Sequence, residues 1–242
     1  MRIVSKTDKG KTRRSNQDAY ATGELCESMS WAVVCDGMGG VQGGNVAAVT
    51  TVKAMSEHIS NSFREGMSSA SIRIMLESAI TAANIDVYDL AQSAETLKGM
   101  GTTIVACVIK DAIAHIVHVG DSRAYLVSES KVKQITKDHS LVQSLIDQGK
   151  ITEQEALNHP QKNIITRALG VEDRVLADYD EVVLGEGESI MICTDGLTNC
   201  VDSEELLSIV KNNKFYDYPD LLVKQANKNG GTDNITVVFL SL

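Results

Sequence analysis

The sequence of 242 residues has few of the features that mark several classes of protein. It contains two prolines and no repeat or low-complexity stretch, so nothing indicates a linker between domains. Its longest apolar runs, such as 31–35 and 113–119, are far shorter than the roughly 20 residues of a membrane-spanning helix. No apolar segment follows the basic residues near the N-terminus, as it would in a secretory signal. We therefore predict one domain over residues 1–242, located in the cytoplasm and without a membrane partner.

Basic and aromatic residues are also scarce. Lys and Arg number 23 against 32 Asp and Glu, which gives a formal net charge of −9, and aromatic residues make up 4% of the chain. Proteins that bind nucleic acids need a basic surface, and those that bind single strands commonly add aromatic side chains for stacking. The composition therefore argues against a nucleic-acid partner.

Several catalytic motifs are missing. The five cysteines form no C-x-x-C pair, and three of them lie inside apolar runs, so all five are interpreted as structural. The five histidines do not have the spacing of metal ligands. There is no G-x-S-x-G motif, and the glycine-rich stretch 37–40 lacks the lysine of a P-loop. The sequence thus gives no sign of a covalent nucleophile, a zinc site or a nucleotide-phosphate loop.

Hydrophobic periodicity predicts an α+β fold. Apolar residues recur at helical spacing over 49–59 and 72–90, where Ser69 or Ser71 is the expected N-cap, and further helices are predicted at about 203–212 and 217–228. Short connections between the predicted strands favour antiparallel sheets, with the helices packed outside them. The segment 139–168 is polar, with short helical pieces. The strands are predicted at 102–109, 112–119, 122–127, 131–135, 174–183, 189–194 and 235–240.

Four aspartates lie beside glycine or at the end of an apolar run: Asp36, Asp121, Asp195 and Asp233. Taken singly, each is best explained as part of a turn. If the strand ends converge, however, carboxylates about 4 Å apart repel by about 4 kcal/mol at an effective dielectric constant of 20. Such a cluster requires cations, and oxygen ligands favour Mg²⁺ or Mn²⁺ over zinc.

Seven motifs in order resemble those of the compact bacterial type 2C metal-dependent serine/threonine protein phosphatases. The resemblance covers essentially the whole chain and implies a four-layer α-β-β-α sandwich, with two central antiparallel sheets flanked by helices. The motifs are R-x-x-N-Q-D at 13–18, D-G-M-G-G at 36–40, G-T-T at 101–103, G-D-S-R at 120–123, K-D-H-S at 137–140, T-D-G-L at 194–197 and G-T-D-N-I-T at 231–236.

The same resemblance implies a role for each matching residue at a site that holds two Mn²⁺ or Mg²⁺ ions, with a third in bacterial members. Asp36, Asp18 and Arg13 would be catalytic. The implied roles are Asp36 as the bridging carboxylate, Asp195 and Asp233 as further ligands of the first ion, the Gly37 carbonyl as a ligand of the second, Asp18 as a ligand acting through water, Asp121 with Asp195 at the third ion, Arg13 as the phosphate-binding residue and Asn234 as the residue that orients the Asp233 loop.

Two positions depart from the pattern of some members. Met38 stands where animal members often carry a histidine that is a candidate general acid, and a thioether cannot donate that proton. Gln17 replaces a glutamate found in some members, which removes one candidate ligand of the second ion. The segment 139–168 resembles the variable flap beside the active site of the family.

The expected activity is hydrolysis of phosphoserine and phosphothreonine in proteins by a water that two metal ions activate. The expected substrates are proteins phosphorylated by a cognate serine/threonine kinase, and a monomer is the expected state. Two alternatives stay open at this point. One is a metal-dependent hydrolase of another phosphate ester, such as a diester, and the other is a family member that binds phosphoproteins without cleaving them.

Overall fold

The computed structural model describes residues 1–26 and 29–242, with the side chains of all of these except residues 26, 41 and 42. Its helices are α1 (Gly40–Ser62), α2 (Ser69–Ser93), α3 (Leu141–Asp147), α4 (Glu153–Leu157), α5 (Asp195–Thr198), α6 (Ser203–Asn212) and α7 (Tyr218–Lys228). Its strands are β1 (Arg2–Asp8), β2 (Asp18–Cys26), β3 (Met29–Met38), β4 (Gly101–Thr102), β5 (Ile104–Lys110), β6 (Ile113–Val119), β7 (Arg123–Ser128), β8 (Lys131–Gln134), β9 (Asp178–Val183), β10 (Ser189–Cys193) and β11 (Ile235–Ser241).

The strands form two antiparallel sheets. One has the order β1-β11-β10-β7-β8, and the other has the order β2-β3-β5-β6-β9 with the short β4 beside β3. Consecutive strands such as β5 and β6 pair directly across tight turns, as their short connections predict. The chain also crosses between the sheets several times, which places the ends of distant strands side by side.

Three apolar layers separate the four layers of secondary structure. Between the sheets lie the inward-facing side chains of both, among them Val34, Ile116 and Val238. The outer face of the β3 sheet packs against α1 and α2, and the outer face of the β11 sheet packs against α6 and α7. The predicted α-β-β-α sandwich is therefore confirmed.

Most predicted elements occur with small shifts at their ends. The apolar stripe of α2 is buried, as predicted, but its N-cap is Ser68, whose side chain accepts a hydrogen bond from the Ser71 backbone N–H. The strand expected at 174–183 begins only at Asp178, and residues 174–177 lie outside the sheet. Neither β1 nor β2 was predicted as a strand. In the case of β1, the reason is that it is a half-buried edge strand whose apolar and polar residues do not clearly alternate.

None of the described helices is both long and apolar enough to cross a membrane.

Candidate metal centre

The strand ends bring the predicted aspartates together at one edge of the sandwich. Asp18 begins β2 directly opposite Asp36 on β3, because the two residues are partners in the antiparallel register. Asp195 follows β10, and Asp233 precedes the neighbouring strand β11. A cleft of about 490 Å³ opens at this edge, and its lining includes Asp36, Asp121, Asp195 and Asp233.

Asp18 lies beneath the cleft, with 8% of its surface exposed. Its Oδ2 accepts hydrogen bonds from the Thr194 hydroxyl at 2.9 Å and the Thr236 hydroxyl at 2.7 Å. Burial raises the pKa of Asp18 to about 7, although the two threonine hydrogen bonds oppose the rise. Its Oδ1 is buried and has no hydrogen-bond partner.

The pKa values of three other acids at this edge are also raised by burial and by neighbouring negative charges. Burial, followed by the charges of Asp18 and Asp195, raises the pKa of Asp36 well above its ordinary value. Burial and the charge of Asp233 raise the pKa of Asp195, whose Oδ2 accepts a hydrogen bond from the Asn199 side chain at 3.0 Å. Burial and the charge of Asp195 raise the pKa of Asp121 to about 7. Without a cation, ionised carboxylates at this edge destabilise one another.

The donor set fits divalent hard cations. The carboxylates supply only oxygen ligands, and two buried oxygens, Asp18 Oδ1 and Asp195 Oδ1, have no hydrogen-bond partner. Buried carboxylate oxygens are normally hydrogen-bonded or bound to a metal, so unsatisfied ones that converge on a cleft indicate a cation. Oxygen-only coordination is the preference of Mg²⁺ and Mn²⁺.

The surroundings of Gly37 explain why the end of β3 requires glycine at this position. Its N–H donates a 3.2 Å hydrogen bond to the Gln17 carbonyl. A Cβ on Gly37 would lie 2.0 Å from the carbonyl oxygen of Gly44 in α1, so no larger residue fits between the strand end and the helix.

The Gln17 side chain, the second departure from the family pattern, donates to the Gly40 carbonyl at 2.8 Å.

Residues 9–237 match the family model described as protein phosphatase 2C. The chain belongs to this family. It is therefore a metal-dependent protein phosphatase, as the motifs predict, and the expected Mn²⁺ or Mg²⁺ cofactor agrees with the family.

Individual relatives match this phosphatase along almost its whole length. The serine/threonine phosphatase stp of Listeria innocua is 36% identical over 244 residues, covering 99% of this chain and 95% of the relative. The crystal structure of the serine/threonine phosphatase Stp1 from Staphylococcus aureus superimposes with a TM-score of 0.93 at 33% identity, covering 99% and 94% of the two chains. The catalytic domain of the phosphatase PstP, solved in complex with two manganese ions, has a TM-score of 0.85 at 31% identity, covering 98% and 96%.

Arg13 of the phosphatase lies at the rim of the cleft. Its Nη2 donates to Asp233 Oδ2 at 2.6 Å, and half of its side chain (51%) is exposed. The hydrogen bond to Asp233 raises the pKa of Arg13, so the guanidinium is charged at the point where a phosphate would enter. The structure thus places the predicted phosphate-binding residue at the cleft, in contact with a predicted metal ligand.

Asn234 joins the two chain segments that carry Arg13 and Asp233. Its Oδ1 accepts from the Gln17 N–H at 2.8 Å, and its Nδ2 donates to the carbonyls of Lys9 and Ser15, both at 2.9 Å. The side chain is therefore hydrogen-bonded at both ends in a buried position, and its partners lie in the loop before Asp18.

Hydroxyl residues of the phosphatase form a scaffold that the sequence reasoning missed. Thr103 Oγ1 accepts from the Asp36 N–H at 3.0 Å, and the Thr103 N–H donates to the Asp36 carbonyl at 2.9 Å. The Thr102 hydroxyl donates to the same carbonyl at 2.8 Å. The G-T-T motif was the available signal, but only the fold shows that both threonines fix the backbone of Asp36.

Two histidines that lack metal-ligand spacing in the sequence lie close together in the structure, beside an aspartate. His118, His139 and Asp178 offer ligand atoms within 4.8 Å of one another, although sequence spacing gives no hint of it. The two imidazole rings are stacked, with centroids 4.6 Å apart and planes only 22° apart. Because ring lone pairs lie in the ring planes, stacked rings do not aim both lone pairs at one ion.

This histidine pair instead supports the turn that carries Asp121. His139 Nδ1 accepts from the Gly120 N–H at 3.1 Å, and the His139 N–H donates to the Gly120 carbonyl at 2.9 Å. Asp178 is paired with Arg167 at 2.7 Å, which reduces its attraction for a cation. We therefore interpret the histidines as structural.

The thiols of the phosphatase lie where the sequence predicts. Cys35, Cys107 and Cys193 are buried in the core, and Cys200 is partly buried. Burial raises the pKa of the first three, which keeps them protonated at neutral pH. The side chain of Cys26 lies outside the described residues.

Proposed function

We propose that this phosphatase hydrolyses phosphoserine and phosphothreonine monoesters in proteins at the cleft between the two sheet edges. The observation that carries the proposal is the convergence of buried carboxylates, two of them with an unsatisfied oxygen, at a cleft whose rim holds Arg13. An acidic site whose lining also includes the cationic side chains of Arg13 and Lys162 suits a phosphate that arrives together with divalent metal.

Two Mn²⁺ or Mg²⁺ ions bound there would supply an activated water at neutral pH and would neutralise the phosphate. Asp36 is central, because it lines the cleft together with Asp195 and lies opposite Asp18. Asp18 is placed to accept a proton, since no donor occupies its Oδ1. The proposed ligands are Asp36, Asp195, Asp233 and the Gly37 carbonyl, with Asp18 acting through water and with Asp121 and Asp195 at a third position.

Arg13 would bind the phosphate oxygens while the ester bond breaks. A guanidinium donates parallel hydrogen bonds to two oxygens, and a charged rim stabilises the charge that spreads over them in the transition state. Met38 lines the cleft and has no proton to donate, so the leaving hydroxyl must take its proton from water or from another group.

We also propose that residues 1–242 form one catalytic domain with the segment 139–168 as its flap. Within this segment, α3 and α4 flank a second cavity that shares Asp121 and Asp195 with the metal cleft. The phosphoprotein substrates would come from a cognate serine/threonine kinase. The cytoplasmic location, the monomeric state and the absence of nucleic-acid and membrane partners stay predictions from the sequence.

Two aspartate variants test the proposed function. Asp36→Asn and Asp195→Asn should each lower Mn²⁺-dependent turnover of a phosphothreonine peptide by orders of magnitude, because each removes charge that holds the cations. Asp86→Asn, an exposed position on α2, is the matched control and should behave as the wild type. Near-normal hydrolysis by either site variant would refute the assignment. A wild-type preference for a phosphodiester over the phosphopeptide would show a different ester substrate.

A further inference from the structure

An apolar groove of about 780 Å³ lies beside the metal cleft. Its apolar lining comes from the last residue of β3 and from the segment before β9. Met38, Asn163 and Ile165 line both the groove and the metal cleft, so the two openings are continuous. The apolar side chains of the groove are those of Met38, Ile165, Ala168, Val171, Val175 and Leu176.

Exposed apolar side chains are concentrated here. Leu176 is 79% exposed and Val171 54%, and both line the groove. Ile164 and Leu157, which are 44% and 68% exposed, lie elsewhere in the flap, and Leu157 lines the cavity beside α3 and α4. These four belong to a group of only ten large hydrophobic side chains that are exposed in the described part of the chain. A cluster of exposed apolar residues beside an active site indicates a binding surface.

The wall of the groove is fixed by buried hydrogen bonds. Asn84 on α2 is 1% exposed, and its Oδ1 accepts from the Gly170 N–H at 2.9 Å. Its Nδ2 donates to the carbonyls of Glu172 at 3.1 Å and Asp173 at 3.2 Å. Leu169 also exchanges two backbone hydrogen bonds with Thr102, next to the residues that hold Asp36. The groove is thus preformed, and binding there requires little ordering of the protein.

The charges around the groove favour an uncharged occupant. Arg167 is already paired with Asp178 at 2.7 Å, and Glu172 offsets Arg174 among the lining residues. The metal cleft next to it is strongly acidic. A ligand that enters both openings must therefore place its charged phosphate at the metals and an apolar group in the groove.

We propose that the groove binds an apolar side chain of the substrate polypeptide, close in sequence to the phosphorylated residue. This inference rests on the proposed function, because the continuity with the metal cleft identifies the occupant as part of the phosphoprotein. Neighbouring residues of an extended chain are only about 3.3–3.6 Å apart along its length, so a residue near the phosphate reaches the groove past Met38.

A peptide series tests the groove. Phosphothreonine peptides carry leucine, serine or lysine in turn at each of the three positions on either side, and kcat/KM is measured with Mn²⁺. The wild type should prefer leucine over serine roughly tenfold at one or more of these positions, as expected for partial burial of a leucine side chain. Leu176→Ser and Val171→Ser should reduce that preference to roughly two- to threefold, the remainder coming from the apolar walls that are left.

The control variant is Ile74→Ser, which removes a similarly exposed apolar side chain (63%) from α2. It should keep the leucine preference. Hydrolysis of p-nitrophenyl phosphate, which has no flanking residues, should fall less in the groove variants than hydrolysis of the leucine peptide.

Three results would overturn the groove proposal: no leucine preference at any position in the wild type, an unchanged preference in both groove variants, or equal losses for peptide and p-nitrophenyl phosphate. A concentration-dependent dimer that Leu176→Ser abolishes would show that a second copy of the chain covers the groove, and would also overturn it. Failure of the proposed function looks different, because the wild type would then hydrolyse p-nitrophenyl phosphate but none of the phosphopeptides.

Discussion

The stability of the metal-free phosphatase should depend on the ionisation of Asp18. The pKa of this carboxyl rises from 3.8 to about 7 on folding, chiefly because it is buried. The folded state therefore binds more protons than the unfolded state between about pH 4 and pH 7, and stability falls as the pH rises through this window. A rise of about three pKa units corresponds to on the order of 4 kcal/mol of lost stability above pH 7.

The variant Asp18→Asn removes this ionisation and, with it, the negative charge that contributes to the raised pKa of Asp36. Asparagine keeps the shape and an acceptor for the Thr194 and Thr236 hydroxyls, but it does not ionise. In EDTA the variant should be more stable than the wild type at pH 8 by a few kcal/mol, and the difference should shrink towards pH 4. Because His115 and His139 are unchanged in both proteins, their own titration cancels in the comparison.

Urea unfolding of both proteins in EDTA, at half-unit pH steps from 4.5 to 8, measures the difference. Millimolar Mn²⁺ should then reverse the order at pH 8, because metal binds only the native state and the wild type keeps the complete set of carboxylates. A difference between variant and wild type that does not change with pH would refute the reasoning. So would equal stability of the wild type in EDTA and in Mn²⁺.

Three further perturbations follow from the geometry. Arg13→Ala should mainly raise KM for a phosphopeptide, with a smaller fall in kcat, because the guanidinium would contact the phosphate before and during the reaction. An unchanged KM would show that Arg13 does not bind the phosphate. Thr103→Val should lower the unfolding free energy by about 1–3 kcal/mol in urea titrations, since it leaves the Asp36 N–H without its acceptor, and a loss below 0.5 kcal/mol would contradict that role. Exchanging the flap at 139–168 for that of a relative should change the ranking of phosphoprotein substrates, and an unchanged ranking would count against its role in specificity.

The position of the acids was predictable because their local signals are strong. Asp36 and Asp195 each follow an apolar run and precede glycine, so the sequence shows that both end a buried strand. The short connections between predicted strands also indicated antiparallel sheets. What the residues alone did not show was which strand ends are neighbours, and the ordered motifs of the family supplied that information.

The supporting hydrogen bonds were not predictable. The Thr236 hydroxyl reaches Asp18 across 218 residues of sequence, and Asn84 on α2 fixes the turn at 170–173. Neither contact produces a recognisable pattern among neighbouring residues in the sequence, because threonine and asparagine occur on strands and helices for many other structural reasons. The stacked pair of His118 and His139 was missed for the same reason, since metal-ligand spacing is a rule about neighbours in sequence.

The threonine hydroxyls around the acids are explained by the stability that the fold loses when these buried carboxylates ionise. Asp18 and Asp36 are buried among like charges, so their ionised forms destabilise the fold until cations arrive. Cationic side chains placed among these acids would lower that cost, but they would also compete with the metals for the same oxygens. Threonine hydroxyls are neutral, so they position a carboxylate and leave its charge available, as Thr194 and Thr236 do on Oδ2 while Oδ1 stays unpaired. The same reasoning explains why the cationic Arg13 lies at the rim, where it pairs with Asp233 and can also meet the phosphate.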